Sequence, residues 1–410
     1  MLLALFAQVH ATAPGLRSDL VHVKVSEARP GLAKLGQPLW PGSPWVRVTT
    51  DDAGALALRL RSEDWVAAAT PALAPQPPPQ DIPPETPDLS SEQIYLGASP
   101  EGLGVEPVTE WPGARGEHVA VADVEFSWDP EHEDLGSTVD ATTWGWDPET
   151  WVFHGNAVLS LIVSGDNGYG LVGIAPEATA IVVHPYVAED DYDVAAAIGG
   201  AAELLEPGDV LLIEQQAYAN GNYAPVSVSP SVFDAIELLV DAGVVVIEPA
   251  GNGGQDLDDD GFEGWFDPSI RDHGGIVVGG GASPLDSSNP IRGWTGGSNH
   301  GARVDVQAWY SYTTVSATTG DYQPDLFYGD SDDRQAYTTQ FGGTSGAAAM
   351  VAGIAAAFQS AAIELTGSPW APRELRALMV STGTPQSSLT SQQIGPQPDL
   401  ARMLRWGLPR

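Results

Sequence analysis

Five apolar runs of strand length constrain this chain most: "HVAVADV" (118–124), "TAIVVHP" (179–185), "DVLLIEQ" (209–215), "GVVVIEPA" (243–250) and "GIVVGG" (275–280). They are rich in Val and Ile and do not alternate with polar residues, as expected of strands covered on both faces. Helix-forming stretches lie between several of them: "NAVLSLIVSG", "VAAAIGGAAELLE" and "SVFDAIELLVDAG". This alternation predicts an α/β fold with a mainly parallel central sheet. In such sheets ligands bind beyond the carboxyl ends of the strands. The sequence has no internal repeat.

The 410 residues suffice for one large domain and a small one. "TPALAPQPPPQDIPPETPDLSSEQ" (70–93) is rich in proline and reads as an extended linker. It divides a short N-terminal region, 1–69, from the bulk, 94–410. Within the first region "LVHVKVSEA" and "WVRVTT" read as strands. The region is expected to be a propeptide or an accessory domain.

Net charge is −37, from 54 acidic and 17 basic residues, which argues against nucleic-acid binding because phosphates would be repelled. With no cysteine, disulfides, thiolate metal sites and a Cys nucleophile are excluded. No run suggests a membrane span. The start, "MLLALFAQVHATA", has a short apolar run and a small-residue site but no basic segment before them. A secreted or periplasmic location is favoured only slightly over a cytoplasmic one.

Chemistry-bearing residues gather at the expected strand ends. The first buried run ends at Asp123, a helix opens with His154 in "HGNAV", and "VVVIEPAGN" runs into Asn252. Ser345 follows two glycines in "FGGTSGAAAMVAG", at a loop-to-helix junction where free N–H groups favour negative charge. Each alone has a bland reading, as strand cap, structural histidine, turn or helix cap.

Their order and contexts resemble the subtilisin-like serine proteases. That family's motifs read like "VAVIDTG", "HGTHVAG", "AAAGN" and "GTSMASPHVAG"; this chain has "VAVADVE", "HGNAVLS", "EPAGN" and "GTSGAAAMVAG". The resemblance covers roughly residues 94–385. It implies a three-layer fold and hydrolysis of peptide bonds by a serine endopeptidase. Ser345 would be the nucleophile, His154 its base, Asp123 the carboxylate orienting the imidazole, and Asn252 an oxyanion donor. It places Gln215, Gln216 and Gly251 in the substrate pocket, with a protein or peptide as partner and no cofactor needed for the chemistry. The departures, Val124-Glu125 after the aspartate, Asn156-Ala157 after "HG" and Ala349 after the serine, mark a divergent branch. The rival readings are an inactive binding protein on the same fold and a sedolisin-type serine-carboxyl peptidase. The oligomeric state is not encoded.

A second site is suggested by "DLDDDGFEGWFD" (256–267). Asp256, Asp258, Asp260 and Gly261 have the spacing of an EF-hand loop, with Asp267 at its twelfth position. The expectation is a structural calcium ion.

Overall fold

The computed structural model describes residues 16–26, 36–39, 42–73, 85–320 and 325–409. The apolar start and residues 74–84 of the expected linker lie outside them. The chain divides into two units, 1–83 and 84–410.

In the first unit β1 (Leu16–Val25), β2 (Gln37–Pro38), β3 (Trp45–Thr49) and β4 (Val66–Leu73) form an antiparallel sheet in the order β2-β3-β1-β4. Helix α1 (Ala53–Arg61) packs Ala53, Ala57 and Leu60 against Val21, Val23 and Ala69 of the sheet. The Asp52 carboxylate accepts from the Ala55 N–H and caps this helix.

Strand β4 runs through Thr70 and Leu73, so the expected linker is shorter than its proline content suggests. At its other end, Leu89 N–H donates to Gly170 O and Gln93 Oε1 accepts from Val172 N–H. Residues 85–93 thus belong to the second unit. Proline does not preclude this, because these residues bond through neighbouring donors and acceptors.

The second unit is built on β5 (Ala120–Val124), β6 (Val139–Trp144), α2 (Val152–Val163), β7 (Thr179–Val183), β8 (Tyr186–Ala188), β9 (Asp191–Tyr192), α3 (Val194–Ala201) and β10 (Val210–Ile213). It continues through β11 (Gln216–Ala219), β12 (Asn222–Pro225), α4 (Pro230–Asp241), β13 (Val245–Pro249), β14 (Ile276–Gly281) and β15 (Val306–Trp309). It ends with β16 (Thr313–Ser316), β17 (Leu326–Tyr328), β18 (Tyr337–Phe341), α5 (Gly343–Thr366), α6 (Pro372–Thr382) and α7 (Leu400–Gly407). Seven strands form a parallel sheet in the order β15-β14-β13-β10-β5-β7-β6. All five apolar runs lie in it. Edge strand β6, "VDATTW", carries too little apolar signal to be read.

Side-chain alternation distributes the sheet between two cores. Val210 and Leu212 face α2 and α5, while Leu211 and Ile213 face α3 and α4. That makes three layers and explains why the runs are apolar throughout. Helix α5 is long and apolar enough to span a membrane, but 94% of that window is buried: it is the core helix of this unit.

The helix is made of small residues because the layers meet closely. A Cβ on Gly353 would lie 2.7 Å from Cβ of buried Ile174, an atom near the backbone that cannot swing away. Alanine favours a helix over glycine by about 1 kcal/mol, whereas overpacking a core costs about 1–3 kcal/mol. Gly353→Ala should therefore lower stability despite its better helix propensity, measured as an earlier urea midpoint with an unchanged slope; a later midpoint would show that the layers can part at little cost.

Candidate active site

Parity along β5 and β10 decides which groups can meet. Ala122 and Val124 face α3 and α4, so Asp123 and Glu125 point to the other side, towards α2 and α5. Ile213 pairs with Val124 across the parallel ladder, which brings Glu214 beside Glu125 on that same side. Three carboxyls thus converge where the first turns of α2 and α5 arrive.

His154 sits in the first turn of α2. Gly155 lets that turn approach: a Cβ there would stand 2.1 Å from Ser127 O and 3.0 Å from Cγ of Glu125. Asn156, which follows it, accepts from Asp129 N–H at 2.8 Å and donates to Ala317 O at 3.3 Å. This departure from the family motif ties down the loop after β5.

The imidazole partner is Glu125. His154 Nδ1 and Glu125 Oε2 are 2.5 Å apart, and Glu125 is fully buried while His154 is 25% exposed. The other Glu125 oxygen accepts from Phe126 N–H at 2.7 Å. Asp123, the carboxylate expected here, makes no hydrogen bond to the ring; both its oxygens are buried without partners. The physical reason is position. Asp123 lies inside the strand, between Leu212 and Val182 of its neighbours, whereas Glu125 lies just past the strand end, where loops and helix starts can reach it. Depth in the strand is the signal that favours Glu125.

Burial would lower the His154 pKa, but the charge and hydrogen bond of Glu125 outweigh it and hold it above 6.5. Asp123 goes the other way. Burial, then the charges of Glu125 and Glu214, push it well above the ordinary carboxylate range. Glu214 is also raised well above its ordinary value, by burial and then by the Glu125 charge.

Ser345 is presented by backbone geometry. A Cβ on Gly342 would stand 2.0 Å from Tyr310 O, and Gly343 has a φ of +75°. The next residue fixes Asn252: Thr344 N–H and its hydroxyl donate to Asn252 Oδ1 at 2.9 and 3.2 Å. Because those donors take the oxygen, Nδ2 faces the cleft, 3.5 Å from Gln216 Oε1. Sequence reading identified Asn252 but not Thr344 as its clamp.

A cleft of about 620 Å³ joins these groups; His154, Ser345, Asn252, Glu214, Gln215 and Gln216 line it together with Phe126, Trp151, Tyr192 and Tyr223. Gln215 is largely committed, donating to Val124 O and accepting from the Tyr192 hydroxyl at 2.7 Å. Gly251 is not among the lining residues. Its φ of +91° makes the turn before Asn252, and its carbonyl accepts from Asn299 N–H.

The acidic loop does not gather its carboxylates. Asp256 accepts from Asp258 N–H, Asp258 from Ala302 N–H, and Asp267 from Ser269, while Asp260 opens a 3-10 turn. The Asp256, Asp258 and Asp267 carboxylates are each bonded to a nearby donor. Among the described residues no cluster of three or more His, Cys, Asp or Glu side chains is disposed to hold a metal ion. The residues present do not fit the expected calcium ion.

The model of the Subtilase family matches residues 114–407. The major intracellular serine protease of Bacillus subtilis (strain 168) is 27% identical over 186 residues, 41% of this chain and 54% of that protein, so the match spans only about half of the relative. Among solved structures, a protease from Pseudoalteromonas arctica PAMC 21717 is similar with a TM-score of 0.58 and 18% identity, covering 78% of this chain and 99% of that one. Fervidolysin from Fervidobacterium pennivorans, described as a keratinolytic enzyme related to subtilisin, is similar with a TM-score of 0.54 and 20% identity, over 97% of this chain and 62% of its own.

The His154–Glu125 pair has a measurable consequence. In ring NMR, Glu125→Gln should lower the His154 pKa, because burial then acts without its opposing charge. The raised native value contributes stability that is fully present below about pH 6.5 and lost as pH rises through the folded pKa. The stability gap between wild type and Glu125→Gln should narrow over that interval. An unchanged His154 titration in Glu125→Gln, with a fall in Asp123→Asn, would return the role to Asp123.

Proposed function

Since this chain belongs to the subtilase family, we propose that it is a serine endopeptidase acting through Ser345, His154 and Glu125, with Asn252 as oxyanion donor. The observation that carries this reading is the bond from His154 Nδ1 to buried Glu125, in the cleft that also holds Ser345 and Asn252.

With Nδ1–H given to Glu125, the neutral ring keeps Nε2 free to accept a proton. Nε2 takes the Ser345 proton as Oγ attacks the peptide carbonyl carbon. Charge develops on the carbonyl oxygen, and Asn252 Nδ2–H with the Ser345 N–H, at the positive end of α5, can donate to it. The imidazolium, stabilised by Glu125, then gives its proton to the leaving amine. An acyl-serine remains, and water cleaves it by the same steps. Glutamate instead of aspartate suits this site because the carboxyl must reach from beyond the strand end.

The substrate is a peptide or protein segment. Four aromatic side chains and no Lys or Arg line the cleft, so it suits apolar segments and offers acidic ones no partner.

A fluorophosphonate probe tests the reading without a known substrate. Wild type should be labelled at Ser345, Ser345→Ala not at all, and Glu125→Gln more slowly by about three to four orders of magnitude. Labelling should rise with pH through a midpoint above 6.5, as His154 becomes neutral. A folded protein without labelling would favour the inactive binding fold, and an optimum near pH 4 a carboxyl base of the sedolisin type.

Asn252→Ala should preserve folding and lower peptide turnover by about 10²–10³, the loss known for this donor in another member of the family. A change of less than about threefold would assign the oxyanion to other donors.

A further inference from the structure

Glu214 is a buried acid that the proposed chemistry does not use. It follows β10, is 5% exposed, and lines the cleft beside Ser345. Neither of its oxygens has a hydrogen bond of ordinary geometry, although the Ser345 hydroxyl lies close enough to favour its charged form. A carboxyl buried this deeply requires a cation, several donors or a proton.

The surroundings supply no cation. From β5, Glu125 and Asp123 face it, and both are acids. From β13 the residue opposite is Pro249, because Leu212 pairs with Ile247; Glu248 points to the far face, where it binds His273 at 3.0 Å. Helix α5 presents Ser345. The imidazole on α2 is bonded to Glu125 and shares its charge there. A proton is what remains.

We propose that Glu214 is a positioning residue for Ser345, holding the serine oxygen from a neutral carboxylic acid and disarming it on ionisation. The proposal rests on the reading of Ser345 and His154 as nucleophile and base. As a neutral acid, Glu214 donates its O–H to Ser345 Oγ, which leaves the serine proton for Nε2 of His154. As a carboxylate it can only accept. It then draws the serine proton away from the imidazole and sets a negative charge beside the oxyanion. Activity acquires a falling limb at high pH in addition to the rise set by His154. The same ionisation is resisted by burial and by the Glu125 charge, which places the limb well above the ordinary carboxylate range.

The test is the rate of fluorophosphonate labelling from about pH 5 to about pH 10, in wild type, Glu214→Gln and Glu214→Leu. The wild-type rate should rise and then fall. Glu214→Gln keeps a donor but cannot ionise, so its profile should rise to a level plateau. Glu214→Leu loses the donor and should label at least about tenfold more slowly than Glu214→Gln across that plateau. Infrared spectra of wild type provide a measurement that needs no variant to fold: a protonated-carboxyl band should disappear with the midpoint of the falling limb. A wild-type plateau without a fall, the same fall in Glu214→Gln, or a carboxyl band unchanged across the limb would overturn the proposal while leaving Ser345 and His154 in place. Absence of wild-type labelling at every pH would remove both readings.

Discussion

The close contact between α5 and the parallel sheet is the constraint on which the rest depends. The helix buries 18 of its 24 residues, most of them Ala or Gly over its first four turns. Small side chains bring its axis near the sheet, and its first turn then lands at the carboxyl ends of β10 and β13. Ser345 and Thr344 ride on that turn. Thr344 clamps Asn252, which follows β13, so one contact sets both the serine and the amide. Helix α2 makes the matching approach through Gly155. Bulk at Gly353 or Gly155 would separate groups that share no sequence neighbourhood.

Much of this was legible in the chain. Strands covered on both faces leave uninterrupted Val and Ile, and all five such runs are in the central sheet. That Ser345, His154 and Asn252 would share a cleft was legible, because each sits in a local pattern: two glycines before a helix, a glycine after the histidine, a turn after a strand. The sheet carboxylate was not. Asp123 and Glu125 are two apart and share a face, so periodicity cannot separate them. What separates them is where the strand stops, and a sequence shows strand ends poorly when the run continues through Val124 into Glu125. The acidic loop was read from spacing alone, and its carboxylates do not gather. Spacing such as that of Asp256, Asp258 and Asp260 fits an EF-hand loop, but neighbouring N–H groups compete for the same oxygens, as those of Asp258 and Ala302 do here. The linker was overread because proline composition reports how a backbone bends, not what its other groups bond.

The two faces of the sheet treat buried acids in opposite ways. On the α3 and α4 side Glu248 is as deep as Glu214. Burial alone would raise its pKa, but His273 at 3.0 Å, the Ser227 N–H at 3.2 Å and the nearby Arg303 outweigh that and lower it. This acid is held as a carboxylate within a network. On the α2 and α5 side three carboxyls share one imidazole. Neighbouring strands are about 4.8 Å apart, so two ionised carboxyls there would repel by about 3–4 kcal/mol at an effective dielectric constant of about 20. One negative charge is stabilised by His154, and further charges are opposed by it. Of the three, Glu125 alone bonds the ring. Burial and the neighbouring charges raise both Asp123 and Glu214 well above the ordinary carboxylate range, and of these two only Glu214 lines the cleft. An acid group can therefore stand beside the serine without competing with the imidazole for as long as it stays neutral. In a chain of net charge −37 the raised pKa values of Asp123 and Glu214 thus oppose the build-up of negative charge beside the serine.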